Sequence, residues 1–290
     1  MRSAKSTRNT ASALEATQGE ASRAPRQFIL ELGARTPVKI PWIGTGWKMN
    51  KTRAEARAYA ETLKASSVAS TGARPFVIPP FTAIADVASV LAGTAVRVGA
   101  QNMHWANAGA WTGEISPVMI RDVGATLVEI GHSERRTHFG ESDETVALKI
   151  RAALAHNLLA LVCVGDTRQQ YEAGQTSTAL AKQVRGALLA TTEQDRDRVV
   201  IAYEPVWSIG EGGTPADPNF VDRQHALIKE ESLRHFAEPV DVIYGGSVNP
   251  GNCCDLAVRK NIDGLFIGRS AWEASGYIGI VESVVAALKP

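Results

Sequence analysis

Three segments of this sequence place residues able to move protons or meet anions within apolar surroundings. Glu204 closes an apolar run in Ala202-Tyr203-Glu204-Pro205-Val206-Trp207. A carboxylate at the mouth of such a run is partly desolvated, which raises its pKa toward a useful value for a general base. Taken alone, it could equally pair with a surface cation. His132 stands in Gly131-His132-Ser133-Glu134-Arg135-Arg136. A helix starting just after it would aim backbone N–H groups at the ring and disfavour imidazolium. A neutral imidazole can then donate to a carbonyl oxygen that gains charge; a lone histidine is otherwise a weak signal. Lys48, in Gly46-Trp47-Lys48-Met49-Asn50, lies in an apolar segment. Lysine is costly to bury without an anion, so a phosphate or an enediolate oxygen is its expected partner, against the blander reading of a solvated loop lysine.

Glycine placement points to an anion as well. Gly210, Gly245-Gly246-Ser247 and Gly268 each let backbone N–H groups approach a phosphate closely. Gly246-Ser247 and Gly268 are expected at helix N-termini. The six histidines are scattered, with no metal-ligand spacing, so no metal site is expected. Cys163, Cys253 and Cys254 form no C-x-x-C pair and read as core filler in a reducing, cytoplasmic setting.

The elements that must position these residues follow from the hydrophobic pattern. Apolar runs at 40–44, 75–79, 96–100, 126–130, 159–164, 199–203, 240–244 and 262–267 are near-continuous rather than alternating. That is how strands buried on both faces of a parallel sheet read. Helical patterns lie between them: Thr52 and Glu55 form a capping box, and Ser142 precedes Asp143 and Glu144 at a helix start. Eight strands alternating with helices predict a single-domain α/β fold, a closed (β/α)8 barrel, rather than an open doubly wound sheet. No G-x-G-x-x-G follows the first strand. In such a barrel the loops after the strands build the site. Lys48, His132, Glu204 and the three glycine-rich turns then converge on one face.

The barrel is expected over residues 40–290. Residues 1–39, rich in Ser, Ala, Thr and Arg, read as a disordered extension, an organelle transit peptide or an over-long translation. With 44% hydrophobic residues and a net charge of +1, the chain carries no charge signature of nucleic-acid or membrane binding. No apolar run approaches the roughly 20 residues of a membrane-spanning helix.

Taken together, the motifs resemble the triosephosphate isomerase family from about residue 40 to the end. The likeness rests on Trp47-Lys48-Met49-Asn50, on residues 131–136 and 202–207, on Tyr244-Gly245-Gly246-Ser247 and on residues 263–268. The resemblance implies a cofactor-independent sugar-phosphate isomerase working through an enediol. A glutamate base paired with a neutral histidine is this family's own known arrangement, so the resemblance carries that pairing over to this chain. Glu204 would carry the proton, His132 would polarise the carbonyl, and Lys48 would offset negative charge. Gly210, Ser247, Gly268 and Arg269 would hold the phosphate. Residues 205–214 would form a lid. A homodimer would form through Gly109-Ala110-Trp111-Thr112-Gly113-Glu114.

Three departures from the family pattern bear on the substrate. The family usually reads Gly-Asn-Trp-Lys where this chain reads Thr45-Gly46-Trp47-Lys48. Its lid usually reads Gly-Thr-Gly-Lys-Thr-Ala, here Gly210-Glu211-Gly212-Gly213-Thr214-Pro215, and one glycine after the eighth strand is Arg269. Losing the asparagine removes an interaction of about 1–3 kcal/mol unless something fills its space. A substrate longer by one hydroxymethyl group would do so. With Gln101-Asn102-Met103-His104-Trp105, this change resembles the tetrulose-phosphate branch of erythritol-type catabolism, which converts L-erythrulose 1-phosphate to D-erythrulose 4-phosphate. The alternatives are the triose reaction of glycolysis and gluconeogenesis and, more remotely, a non-catalytic phosphate-binding barrel.

Overall fold

Eight short strands carry the architecture: β1 (Trp42–Gly46), β2 (Arg74–Ile78), β3 (Arg97–Ala100), β4 (Leu127–Ile130), β5 (Leu159–Val164), β6 (Val199–Tyr203), β7 (Asp241–Tyr244) and β8 (Gly264–Ile267). Each pairs in parallel with its sequence neighbours, and β8 returns to β1, closing the barrel. These come from a computed structural model, which describes residues 39–289 apart from Ala190 and Glu211. The expected disordered extension lies outside the described residues, save for Lys39.

The helices are α1 (Arg53–Lys64), α2 (Ile84–Leu91), α3 (Pro117–Asp122), α4 (Ser133–His138), α5 (Asp143–Ala155), α6 (Arg168–Glu172), α7 (Thr176–Leu188), α8 (Pro218–Ser232), α9 (Cys253–Ala257) and α10 (Ala274–Ala287). The Thr52–Glu55 box caps α1, and Ser142 caps α5 through the Thr145 N–H. Each such cap contributes about 1 kcal/mol.

Every strand lies within two residues of its expected run. The largest shift is in β1, which starts after Pro41 and takes in Gly46. Pro41 has no N–H for the ladder, and the first strand donor, from Trp42, goes to the Asp263 carbonyl at 2.9 Å.

Two cores hold the barrel. Between strands and helices lies a large apolar layer that includes Ile43, Val77, Val128, Ile150, Leu180 and Val281. Inside the barrel, Trp42, Phe76, Leu127, Leu161, Val200 and Ile243 meet with Phe266. Each fully buried Val, Leu or Phe contributes about 1.5–3 kcal/mol. Gly44 makes room for one of these rings, since a Cβ there would fall 1.9 Å from Phe76. At the N-terminal end of the strands, Asp241 accepts from Trp42 Nε1 at 2.8 Å and from Arg74 at 2.7 Å. That end is a stability face; the chemistry lies at the other.

Candidate active site

Glu204 follows β6 directly, and its N–H donates to the Val164 carbonyl at 2.8 Å. Two glycines give it space. A Cβ at Gly165 would sit 2.0 Å from the Glu204 carbonyl oxygen, and one at Gly245 would sit 2.7 Å from Glu204 Cγ. The carboxyl is buried, and its Oε2 has no hydrogen-bond partner among the described residues. Burial pushes its pKa up, while the charges of His132 and Lys48 oppose the shift.

His132 caps α4 from the end of the β4 loop, and the Glu134 N–H donates to its Nδ1 at 3.1 Å. Accepting there places the ring proton of a neutral imidazole on Nε2. Nε2 lies 3.8 Å from Glu204 Oε2. Burial disfavours the imidazolium, but Glu204 and Glu129 outweigh it and raise the ring above its ordinary value. The Glu134 N–H works against a second ring proton. The expected helix start behind this histidine is present, but the ring's net shift runs opposite to the expected disfavouring of imidazolium, because the two buried carboxylates outweigh it.

A buried ionic cluster fixes the histidine loop. Glu141 accepts from the Gly131 N–H at 2.8 Å, from Arg135 at 2.9 Å and from Lys149 at 2.7 Å. Gly131 has a φ of 81° and packs against the Cys163 carbonyl, so a side chain there is excluded. Glu141→Ala would leave Lys149 buried without its anion. The expected loss is about 3–5 kcal/mol, read as a fall in Tm of roughly 10 °C in a thermal melt. An unchanged Tm would show that the cluster does not hold the loop.

Lys48 stands two residues beyond β1 with a φ of 54°, in the left-handed region that costs a side chain energy. Gln101 holds that backbone by donating to the Lys48 carbonyl at 2.8 Å. Within the protein the Lys48 ammonium pairs with the Glu134 carboxylate, a partner the sequence did not single out. The pairing bridges the loop after β1 to the first turn of α4.

Of the turns expected to hold phosphate, Gly210 takes a φ of 83° after β6. Gly268 opens a one-turn 3-10 helix at Arg269–Ala271, so the turn accommodates the arginine in place of glycine. Gly246-Ser247 departs from expectation: α9 begins only at Cys253, so no helix N-terminus stands there. The extra turn through Asn249 and Pro250 delays the helix, and the Ser247 N–H donates to Ser208 Oγ at 3.2 Å. Segment 205–214 is anchored at its start, where Trp207 Nε1 meets Asp166 at 3.2 Å. Asp166 also accepts from Thr176 at 2.6 Å and Tyr203 at 3.0 Å.

All eight residues singled out from the sequence, Gly46, Lys48, His132, Glu204, Gly210, Ser247, Gly268 and Arg269, line one cavity of about 760 Å³. Two neighbours were missed. Glu134 is one. Glu129, on β4 and buried, is another; burial pushes its carboxyl up to about 7, against the charge of His132. Cys163, read as core filler, lies in the barrel interior, but its thiol also points at Glu129 Oε1 from 3.8 Å. Burial raises that thiol well above its ordinary value, so it is no thiolate nucleophile.

Ligand-type atoms of Glu129, His132 and Glu204 lie within 4.8 Å of one another. Sequence spacing could not show this cluster, because its members come from β4, the loop after it and the end of β6. One charged residue within an apolar strand run was the available signal for Glu129.

The cavity thus pairs a buried carboxylate with an imidazole N–H and an ammonium, facing turns rich in backbone donors. Such a set can enolise a carbonyl compound anchored by a phosphate. Comparison with known proteins agrees. The family model described as triosephosphate isomerase matches residues 41–284. L-erythrulose-1-phosphate isomerase of Brucella abortus (strain 9-941) is 54% identical over 242 residues, covering 83% of this chain and 94% of that protein. The protein of the same name from Mesorhizobium japonicum is 54% identical over 252 residues, covering 86% and 99%. The crystal structure of triosephosphate isomerase from Bartonella henselae superposes with a TM-score of 0.73 at 32% identity, covering 84% of this chain and 98% of that one.

Proposed function

The chain belongs to the triosephosphate isomerase family, and from that premise we propose that it interconverts L-erythrulose 1-phosphate and D-erythrulose 4-phosphate. The observation that carries the four-carbon reading is Gly46. It faces the barrel interior at the end of β1, where the family usually places an asparagine, and it lines the cavity with His132 and Glu204. The space left beside the reactive carbons suits one further hydroxymethyl group. The names of the relatives at 54% identity support the same substrate.

The chemistry needs no net oxidant. Glu204 takes the proton from C3 of D-erythrulose 4-phosphate. The C–H electrons form the C2–C3 double bond, and the C2 oxygen gains charge. His132 Nε2 gives its proton to that oxygen and recovers one from the C3 hydroxyl. Glu204 then returns its proton to C2 while the carbonyl re-forms at C3. Numbered from the phosphate end, the product is L-erythrulose 1-phosphate. Lys48 stabilises the negative charge on the oxygens, and Gly210, Ser247, Gly268 and Arg269 hold the phosphate. Segment 205–214 closes over the enediol and keeps out water that would favour phosphate loss.

Purified protein is expected to favour L-erythrulose 1-phosphate over D-glyceraldehyde 3-phosphate by at least about 100-fold in kcat/KM, the size of one well-used polar contact. A preference of that size for the triose would overturn the four-carbon reading in favour of triosephosphate isomerase proper.

The working form in this reading is a homodimer. Loop residues 109–114 are exposed, and Trp111, half exposed, stands on the stacked rings of His104 and Trp105. An exposed aromatic on a rigid base is a typical interface anchor. Sedimentation should give twice the chain mass, and Trp111→Ser should shift it toward one. The three free thiols suit a reducing, cytoplasmic setting.

A further inference from the structure

Among the described residues, Glu129 is the one charged residue in the C-terminal half of any barrel strand. It lies two positions beyond Leu127, whose side chain fills the barrel interior, so it faces inward as well. There it is buried, lines the cavity, and keeps a single hydrogen bond among the described residues, from Cys163 Sγ at 3.8 Å. A carboxyl so placed adds nothing to stability, because an apolar side chain of similar volume would pack at no desolvation cost.

Its position relative to Gly46 gives it a use. A Cβ built on Gly46 would lie 3.1 Å from Phe266 Cζ and 3.8 Å from Glu129 Oε2. The Phe266 ring and the Glu129 carboxyl therefore both border the space beside residue 46. The space has one apolar wall, the Phe266 ring, and one polar wall, the Glu129 carboxyl. A hydroxymethyl group has the matching pair, a methylene and a hydroxyl.

We propose that Glu129 is the residue that selects the four-carbon substrate, its carboxyl accepting a hydrogen bond from the terminal hydroxyl that a triose phosphate lacks. This rests on the four-carbon reading above. A carboxyl pushed up to about 7 by burial also takes a proton readily, so it need not add negative charge beside the enediolate.

The test compares L-erythrulose 1-phosphate, its analogue with methyl in place of the terminal hydroxymethyl, and D-glyceraldehyde 3-phosphate. The enzymes are the natural protein, Glu129→Met and Glu129→Leu. The natural enzyme should favour hydroxymethyl over methyl by about 100-fold or more in kcat/KM. Both variants should shrink that ratio to within about fivefold, chiefly by losing rate on the hydroxylated substrate. A natural enzyme indifferent to the hydroxyl overturns the proposal, whatever the variants do. Variants that keep the ratio overturn it too, as does a parallel loss on all three substrates, which would mark a role in the chemistry or the fold. If the natural enzyme turns over only the triose, the four-carbon reading fails first. If it turns over the tetrulose and the ratio ignores residue 129, only this inference fails.

Discussion

Glu204→Gln is expected to lower kcat by about 10³–10⁴-fold and leave KM within a few-fold. The substitution keeps the shape of a side chain packed against Gly245, and it removes the group proposed to take the proton. Binding should be spared, because the proposed phosphate contacts come from Gly210, Ser247, Gly268 and Arg269 and not from the Glu204 carboxyl. Folding is spared too, since an amide replaces a buried carboxylate whose Oε2 has no hydrogen-bond partner among the described residues. The pH profile supplies an independent sign. Glu204 must be ionised to act, and burial has raised its pKa above the ordinary carboxylate value. Activity should therefore fall as pH drops through that raised value, at a higher pH than for an exposed glutamate. Glu129, pushed up to about 7, titrates alongside, so the acid limb reports the pair rather than one residue. In Glu204→Gln the residual rate should lose this limb or most of it. A variant with a natural pH profile and a loss of less than tenfold would show that another group is the base.

Lys48→Met carries the second large effect, a loss of about 10²–10³ in kcat, the cost of removing one preorganised stabiliser of a developing oxyanion. Met copies the length of the lysine stem without its charge. The variant also frees Glu134, whose side chain is 46% exposed, so the unpaired carboxylate can find water and the fold should lose under about 1 kcal/mol. Steady-state kinetics with a melting curve beside them separates the two roles. A drop in Tm of more than several degrees, with kcat little changed, would make Lys48 a structural residue. The backbone argues otherwise: Lys48 keeps a left-handed φ of 54°, and strain of this kind clusters at functional sites.

Much of this arrangement was legible before any coordinates. Strand runs rich in Val and Ile separated by capped helices sufficed for the barrel, since burial on both strand faces writes a continuous apolar signal. Barrel geometry then put residues after different strands on one face, and Lys48, His132 and Glu204 do line one cavity. What the sequence concealed was local or long-range. Nothing in Gly246-Ser247 tells that the chain makes a further turn before α9. The Lys48–Glu134 pair joins a loop to a helix far away in sequence, so spacing could not reveal it. Glu129 was visible as an acid in an apolar run, but its meaning depended on which strand face points inward, and Leu127 settles that only once the barrel is closed. Cys163 fills the core of its strand as expected, and its contact with Glu129 depends on a neighbour across the sheet that the sequence does not name.

In the proposed reaction a carboxylate moves the proton through an enediol on a four-carbon ketose phosphate. Turnover of L-erythrulose 1-phosphate in D2O, followed by proton NMR of product and recovered substrate, tests it most directly. One solvent deuterium is expected at the newly protonated carbon beside the carbonyl, with slower exchange into recovered substrate, and neither in Glu204→Gln. Product that keeps the substrate's own hydrogen in full, at natural rates, would mean a hydride shift and would contradict it.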